Sequence, residues 1–277
     1  MPIHKTLTVA SLDDILNVVQ RARRIIDAQP DEECFFRGHG DLRHKLLPTL
    51  QRKAAERRWS DEEMLTKEDA LFWEFQARAY ELHHLPLDDW DYLFAMRHHG
   101  VPTRLLDWTE SFAVALYFAV CFDDRHRRTD PCVWVLNPYA LNEQAGGIRD
   151  LMAPRHLGWD DEDKIAHTYG QLIADRAINW EQPFAIYPMQ RVARMRAQRG
   201  WFTIHGSDRR PIEEIAPNCV VRIDFDGTSI QDTRDLLNLL GFDSFAIFAD
   251  LDSLAESVTS KNIGPTNVPQ RRIRHKR

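Results

Sequence analysis

Cysteine is scarce in this sequence of 277 residues, and none of its four cysteines stands in a CxxC pair. A disulfide framework and a cysteine-based zinc site therefore have no support, and we expect reduced, mostly buried thiols. No run of residues approaches the roughly 18 apolar positions of a membrane span. The first residues also lack the order of a secretory signal. These absences predict a cytoplasmic protein without membrane contact.

Glycine-rich phosphate loops are missing as well. Neither GxGxxG nor a Walker loop occurs, which argues against a Rossmann-type NAD site and a P-loop hydrolase. Ser111 lies in "TESFA", without the Gly-x-Ser-x-Gly elbow of a hydrolase nucleophile.

Positive charge is in deficit, since 36 basic residues face 42 acidic ones and leave a net charge of −6. This balance argues against a general nucleic-acid binder. Residues 261–277 are the exception, with six Lys/Arg and no acid. We expect this segment to be a solvated, disordered tail, and contact with nucleic acid is the alternative.

The chain has the means to build a core, because 43% of its residues are hydrophobic and 10% aromatic. Hydrophobic spacing predicts helices over residues 11–26, 61–84, 87–99, 160–168, 231–240 and 250–258. A further buried helix is predicted in "WTESFAVALYFAVCF", with Asp107 or Thr109 as its cap. Strands are predicted at "CFFRG" (34–38), "CVWVL" (132–136), "FAIY" (184–187), "WFTIH" (201–205), "CVVRIDF" (219–225) and "SFAIF" (244–248).

Helices dominate the first half and strands the second, without strict alternation. The order predicts an α+β fold in which a helix-rich N-terminal half packs on a mixed β core. We expect one compact domain over residues 11–260, between an N-terminal extension (1–10) and the basic tail (261–277).

In "CFFRGHG" an arginine directly follows three apolar residues, and its charge needs a partner. A desolvated guanidinium is costly unless an anion or a set of acceptors satisfies it. Arg37 either binds a ligand or pairs with Asp107 as a structural ion pair. In "TRLLDW", Arg104 and Asp107 have helical spacing and can also pair with each other.

Five blocks in sequence carry a resemblance to a known family. They are "FFRGHGDLRHKLLPTLQR", "MRHHGVPTRLLDWTESFAVALYFAV", "VWVLNPYALN", "RMRAQRGWFTIHG" and "LGFDSFAIFADLDSLA". This order resembles the FRG domain, which is named for its Phe-Arg-Gly motif, over about Phe35 to Ala255. The resemblance implies a role in bacterial or phage conflict systems, in defence or as a toxin, and names no reaction.

A weaker similarity suggests a mechanism. "FFRG", "DWTESFAVALYFA" and "AQRGWFTI" are similar in order to the motifs of ADP-ribosyltransferases of the Arg-Ser-Glu class. That similarity implies an ADP-ribosyltransferase-like β core and NAD as cofactor, with Arg37, supported by Gly38, at its pyrophosphate or ribose. It implies roles for Thr109 and Ser111 at the nicotinamide ribose, and it puts Gln198 at or next to the catalytic glutamate. Further candidate NAD contacts are His99, Thr103, Arg104, Asp107, Trp108 and Tyr117.

The glutamine is the main departure from that pattern. A carboxylate stabilises the positive charge that develops as the nicotinamide bond breaks, and a neutral amide does so less well. The similarity therefore predicts NAD binding more firmly than turnover. Trp108 and Tyr117 also suit a purely structural role, because aromatic residues in so apolar a segment are usually core.

Three functions remain open at this stage. The first is an ADP-ribosyltransferase-like enzyme that modifies a macromolecular acceptor, either protein or nucleic acid. The second is a metal-dependent nuclease using His98, His99, Asp107 and Asp250, although adjacent histidines on a helix point about 100° apart and suit a shared metal poorly. The third is a non-catalytic module that binds a nucleotide or a partner through Arg37 and Arg104.

Overall fold

The computed structural model describes residues 4–79, 82, 87–121, 130–160, 165–188, 193–225 and 229–264. Its helices, in chain order from α1 to α13, are Ile15–Ile25, Thr49–Arg57, Asp61–Ala79, Asp89–His98, Phe112–Val120, Pro138–Gly146, Pro154–Leu157, Tyr169–Ala174, Ala193–Ala197, Ile212–Ile215, Ser229–Leu239, Ser244–Phe248 and Leu251–Ile263. Its strands, from β1 to β9, are Lys5–Val9, Phe35–His39, Leu105–Thr109, Cys132–Leu136, Trp159–Asp160, Ile165–Ala166, Phe184–Ile186, Gly200–Ile204 and Val220–Phe225.

Seven of these strands form one mixed sheet in the order β1-β9-β4-β2-β3-β8-β7. β1 runs parallel to β9, whereas the other neighbours in the sheet are antiparallel. Together with the helices, this sheet confirms the predicted α+β fold. None of the described helices is long and apolar enough to cross a membrane.

Three apolar clusters hold the helices against the sheet. One joins α1, α5 and α11 to the strands β1, β9, β4 and β2, and a second joins α3, α4 and α8 to β3, β8 and β7. The third lies on the opposite face, where Phe35, Trp108 and Trp134 pack together. The α5 layer and the α4 layer thus flank the junction between β2 and β3, and the predicted site residues of those strands lie at this junction.

Gly38 sets how closely α5 approaches the sheet. A Cβ atom at this position would lie 1.9 Å from the backbone oxygen of Ala115, which no side chain can tolerate. The Gly of the Phe-Arg-Gly motif therefore allows the close contact between helix and strand.

Several predictions about the elements need correction. Residues 105–109 are the strand β3, so the following helix begins at Phe112 with Ser111 as its N-cap, and neither Asp107 nor Thr109 has that role. "SFAIF" is the helix α12, because Asp243 caps its start and Ala249 ends it in the left-handed conformation. The helix predicted over 160–168 is also wrong at its two ends, since Trp159–Asp160 pairs antiparallel with Ile165–Ala166. Residues 161–164 of that prediction lie outside the described residues.

Most other predicted elements are confirmed to within a few residues, including the strands at 132–136, 184–187, 201–205 and 219–225. Residues 80, 81, 83 and 84, in the predicted second helix, lie outside the described residues, as do residues 265–277 of the basic tail. The predicted N-terminal extension contains β1, which pairs with β9, so a boundary at residue 11 separates this strand from its own sheet.

Candidate functional site

Arg37 lies where the strands β2 and β3 separate. The two strands share a single residue pair, Phe36 with Thr109. Beyond that pair, Nη1 of Arg37 donates to the carbonyl oxygen of Asp107 at 2.5 Å and lies 3.6 Å from its carboxylate. Burial, only partly offset by Asp107, lowers the pKa of Arg37 to about 10. The partner of Arg37 within the chain is therefore Asp107, as the structural alternative predicted.

Asp107 also binds a second arginine that the sequence analysis did not single out. Arg97, in the last turn of α4, donates from Nε to Oδ2 of Asp107 at 2.8 Å, and its Nη2 contacts the same oxygen. Burial alone would raise the pKa of Asp107, but the charges of Arg97 and Arg37 outweigh that effect and lower it to about 2. The Asp107 side chain is still 41% exposed, whereas those of Arg37 and Arg97 are 18% and 13% exposed. Asp107 is thus an accessible carboxylate between two largely buried guanidinium groups.

Thr49 connects this group to a third arginine. Its buried hydroxyl accepts hydrogen bonds from Nη1 of Arg97 and from Nη2 of Arg52, both at 3.1 Å. Arg52 is half-buried and forms no ion pair with a carboxylate in the described part of the chain. Burial and the neighbouring charge of Arg97 lower the pKa of Arg52. Three guanidinium groups therefore face one carboxylate, and positive charge is in excess.

Two histidines border this cluster without adding charge. Nε of Arg37 donates to Nε2 of His39 at 3.0 Å, and the His39 ring meets that of His44 edge-on at 5.9 Å between centroids. Burial is the main cause that lowers the pKa of both rings, and Arg37 adds to it. Both imidazoles are therefore neutral at pH 7, and the local positive charge comes from the arginines.

Thr109, Ser111 and Gln198 form a second group. The Thr109 hydroxyl donates to the backbone oxygen of Gln198 at 2.7 Å and accepts from the Ser111 amide at 3.0 Å. The Ser111 hydroxyl caps α5 by accepting from the amide of Val114 at 3.4 Å. Nε2 of Gln198 is buried, and none of the described residues is its hydrogen-bond partner. Both hydroxyls therefore have structural tasks, and the Gln198 amide is the unsatisfied group.

The two groups are joined by β3. Asp107 and Thr109 are alternate residues of this strand, so their side chains leave the same face of the sheet. Two pairs of the predicted residues thus meet along β3, with Arg37 of β2 at Asp107 and the backbone of Gln198, which precedes β8, at Thr109.

Arg104 has a different role from the one predicted. Its Nε donates to Glu68 of α3 at 2.8 Å, its Nη2 contacts the other carboxylate oxygen, and the Tyr169 hydroxyl donates to Glu68 at 2.5 Å. The Arg104 and Glu68 side chains are only 1% and 4% exposed. Arg104 is therefore a buried structural residue, and its acidic partner is Glu68 and not Asp107.

The remaining candidates mostly belong to the core. Trp108 is buried and donates from Nε1 to Thr203 at 3.1 Å. Thr103 is buried and accepts from the Leu105 amide at 3.3 Å, and Tyr117 is buried in the cluster around α5. His99 is the C-cap residue of α4.

Four residues near the predicted set were missed. Three of them are Thr49, Arg52 and Arg97. The stretch "PTLQR" indicates that Thr49 and Arg52 lie side by side, because residues three apart share a helix face. Their proximity to Asp107 depends on tertiary packing. The fourth is Glu110, whose carboxylate accepts from the indole of Trp201 at 3.2 Å.

The residues suggested for a metal-dependent nuclease do not assemble. Asp107 is engaged by two arginines, whose charge repels a cation, and Asp250 caps α13 in a reciprocal bond with Ser253. In the described ranges, no group of three or more His, Cys, Asp or Glu side chains could hold a metal ion.

Comparison with known proteins agrees with the first of the two resemblances. Residues 32–128 match the FRG domain. The FRG match includes Arg37, Thr49, Arg52, Arg97 and Asp107, so the whole arginine cluster falls within it. It does not reach Gln198. No curated protein and no solved structure matches the chain.

Proposed function

We propose that this FRG-domain protein binds NAD and transfers its ADP-ribosyl group to a macromolecular acceptor in a bacterial or phage conflict setting. The observation that carries the proposal is the excess of guanidinium groups around Asp107. A guanidinium presents a planar fork of donors that suits phosphate oxygens, and a dinucleotide carries two adjacent phosphate charges.

In this proposal, different residues of the chain bind the phosphates and act at the reacting end of NAD. Arg37 and Arg97 hold the phosphate charge beside β3. The Thr109 hydroxyl fixes the backbone of Gln198, and the side-chain amide of Gln198 has a donor left for a ligand. When bound, NAD supplies an ADP-ribosyl group that is activated by its bond to nicotinamide.

The charge that develops on the ribose needs negative potential nearby, and Gln198 offers only an amide dipole. Glu110 follows Thr109 directly, and its side chain is 33% exposed. It is the carboxylate next to this end of β3, but it already accepts from Trp201 and lies 3.5 Å from the guanidinium of Arg199, which offsets its charge. Slow turnover is therefore expected.

The test is incubation of the full chain with NAD that is labelled in its adenine ring, followed by measurement of nicotinamide release and of label on macromolecules in a cell extract. We expect wild type to release nicotinamide and to label macromolecules. Arg37→Ala should do neither, and Arg43→Ala should match wild type. Arg43 is a suitable control because its side chain is 55% exposed and pairs only with Asp41 two residues away. Wild-type protein that neither binds NAD nor releases nicotinamide would contradict the proposal.

A non-catalytic nucleotide-binding module is the second candidate, and the observation in its favour is the amide at Gln198. It predicts that wild type binds NAD and ADP-ribose, that Arg37→Ala does not, and that nicotinamide release stays at the uncatalysed rate. The same incubation separates the two functions.

A further inference from the structure

The Thr49 hydroxyl has one hydrogen bond still to make. Its oxygen accepts from Arg97 and Arg52, and the residue is only 4% exposed. A hydroxyl also carries one proton to donate, and no described residue accepts it. A buried donor without an acceptor costs free energy, so an oxygen from outside the described chain suits this position.

Arg52 is unsatisfied in the same place. Its one hydrogen bond goes to the neutral hydroxyl of Thr49, and it has no carboxylate partner among the described residues. Glu56, one turn further along α2, attracts the charge of Arg52 but forms its own ion pair with Lys53. A half-buried guanidinium that no carboxylate contacts is unfavourable. Arg52 and Arg97 also bond to the same oxygen, so two like charges are held close together. An anion within reach of both guanidinium groups would reduce the repulsion between them and accept the hydrogen bonds that they lack.

The charge count indicates what kind of anion fits. Asp107 can compensate one of the three arginines, and its contacts are with Arg97 and Arg37. The charge of Glu56, which also attracts Arg52, is compensated by its ion pair with Lys53. Two positive charges remain. A diphosphate group carries two or more negative charges and offers only acceptors, which matches a site made of guanidinium N–H groups and a hydroxyl proton.

We propose that Thr49, Arg52 and Arg97, together with Arg37 on the other side of Asp107, bind the diphosphate group of a small nucleotide. Phosphate oxygens accept from the Thr49 hydroxyl and from the free N–H groups of Arg52 and Arg97. Asp107 keeps Arg37 and Arg97 in position from the opposite side. The inference rests on the proposed function for the identity of the nucleotide, whereas diphosphate binding itself requires no transfer chemistry.

The experiment is calorimetric titration of the full chain with inorganic pyrophosphate at constant ionic strength. Because hydrogen bonds to charged groups are strong, Arg52→Ala is expected to weaken binding by about tenfold or more. Thr49→Val, which removes the hydroxyl and keeps the shape, should weaken binding by about fivefold. Arg57→Ala should match wild type, because Arg57 is exposed on the same helix α2.

Thermal melting of each variant shows whether it is folded, and Arg52→Lys, which keeps the charge, replaces Arg52→Ala if that variant does not fold. Pyrophosphate affinity that is unchanged in both Arg52 and Thr49 variants would overturn the site. Absence of pyrophosphate binding to wild type would do the same.

Titrations with ADP-ribose and with NAD show whether the ligand is a nucleotide or free pyrophosphate. They also test this site separately from the proposed function. Tighter binding of ADP-ribose than of pyrophosphate supports a nucleotide, and equal affinity overturns that part of the proposal. If pyrophosphate binds through Arg52 and Thr49 while NAD is neither bound nor consumed, the site stands and the proposed function is wrong. If NAD binds equally to wild type and to both variants, the proposed function stands and this site is wrong.

Discussion

Arg104, directly before β3, and Glu68 of α3 form a two-point ion pair, and both side chains are almost completely removed from solvent. Arg104 also donates to the backbone oxygens of His205 and Gly206, at 2.8 and 3.2 Å, after the end of β8. One guanidinium thereby joins the helical layer to two adjacent strands.

This relationship predicts a stability defect. Arg104→Met leaves the Glu68 carboxylate buried without its partner, and we expect a loss of about 3–5 kcal/mol in the free energy of unfolding. The double variant Arg104→Met, Glu68→Leu should recover part of that loss, because no buried charge remains. Urea denaturation measures both. Arg78→Met is the control, since its pair with Glu74 is on the surface. A single variant as stable as wild type would contradict the assigned role.

Gly38 permits a second stability prediction. Gly38→Ala puts a methyl group against the backbone of Ala115 and forces α5 away from β2. We expect a loss of about 1–3 kcal/mol, as for other cases of overpacking. Gly200→Ala is a matched control in β8, where the nearest atom to a Cβ is 3.6 Å away. Equal melting temperatures for the two variants would show that α5 can move without cost.

The sequence predicted much of this architecture and less of the site. Strands such as Cys132–Leu136 are apolar, β-branched and short, so their pattern is unambiguous. Leu105–Thr109 was not predicted as a strand, and its last residues were included in the helix that follows. Apolar residues surround Asp107 on both sides, and periodicity cannot distinguish a buried strand from a buried helix in so short a run.

The site depended on contacts that no local pattern contains. The pairing of Arg37 with Asp107 was one of the two alternatives that the sequence left open, because a charge in an apolar segment needs a partner. Arg97 and Arg52 reach the same cluster from α4 and α2, which lie far apart in sequence, and their approach is decided by how those helices pack. The Arg104 pairing was misjudged for the same reason, since Glu68 is 36 residues away in α3.

His205 predicts a dependence of stability on pH. The residue is fully buried, and neither ring nitrogen has a hydrogen-bond partner in the part of the chain that the structure describes. Burial, followed by the charge of Arg104, lowers its pKa to about 3. The unfolded chain takes up a proton near pH 6.5 and the folded chain does not, so this residue makes the fold less stable as pH falls from about 6.5 towards 3. His205→Leu should flatten the decline, measured by urea denaturation between pH 7 and pH 4. A slope identical to that of wild type would show that His205 is protonated in the folded state.

Gln198 gives the sharpest test of the chemistry. If its amide stands where a carboxylate would stabilise the ribose charge, Gln198→Glu should raise nicotinamide release from NAD by about tenfold or more, because electrostatic stabilisation of developing charge is a large catalytic contribution. The change should leave the affinity for pyrophosphate nearly unchanged, since Gln198 lies beside Thr109 and not among the arginines. Gln198→Met, which has similar size and no charge, controls for the altered shape. A folded Gln198→Glu variant that binds NAD and releases no nicotinamide would remove the transferase interpretation and leave the nucleotide-binding module.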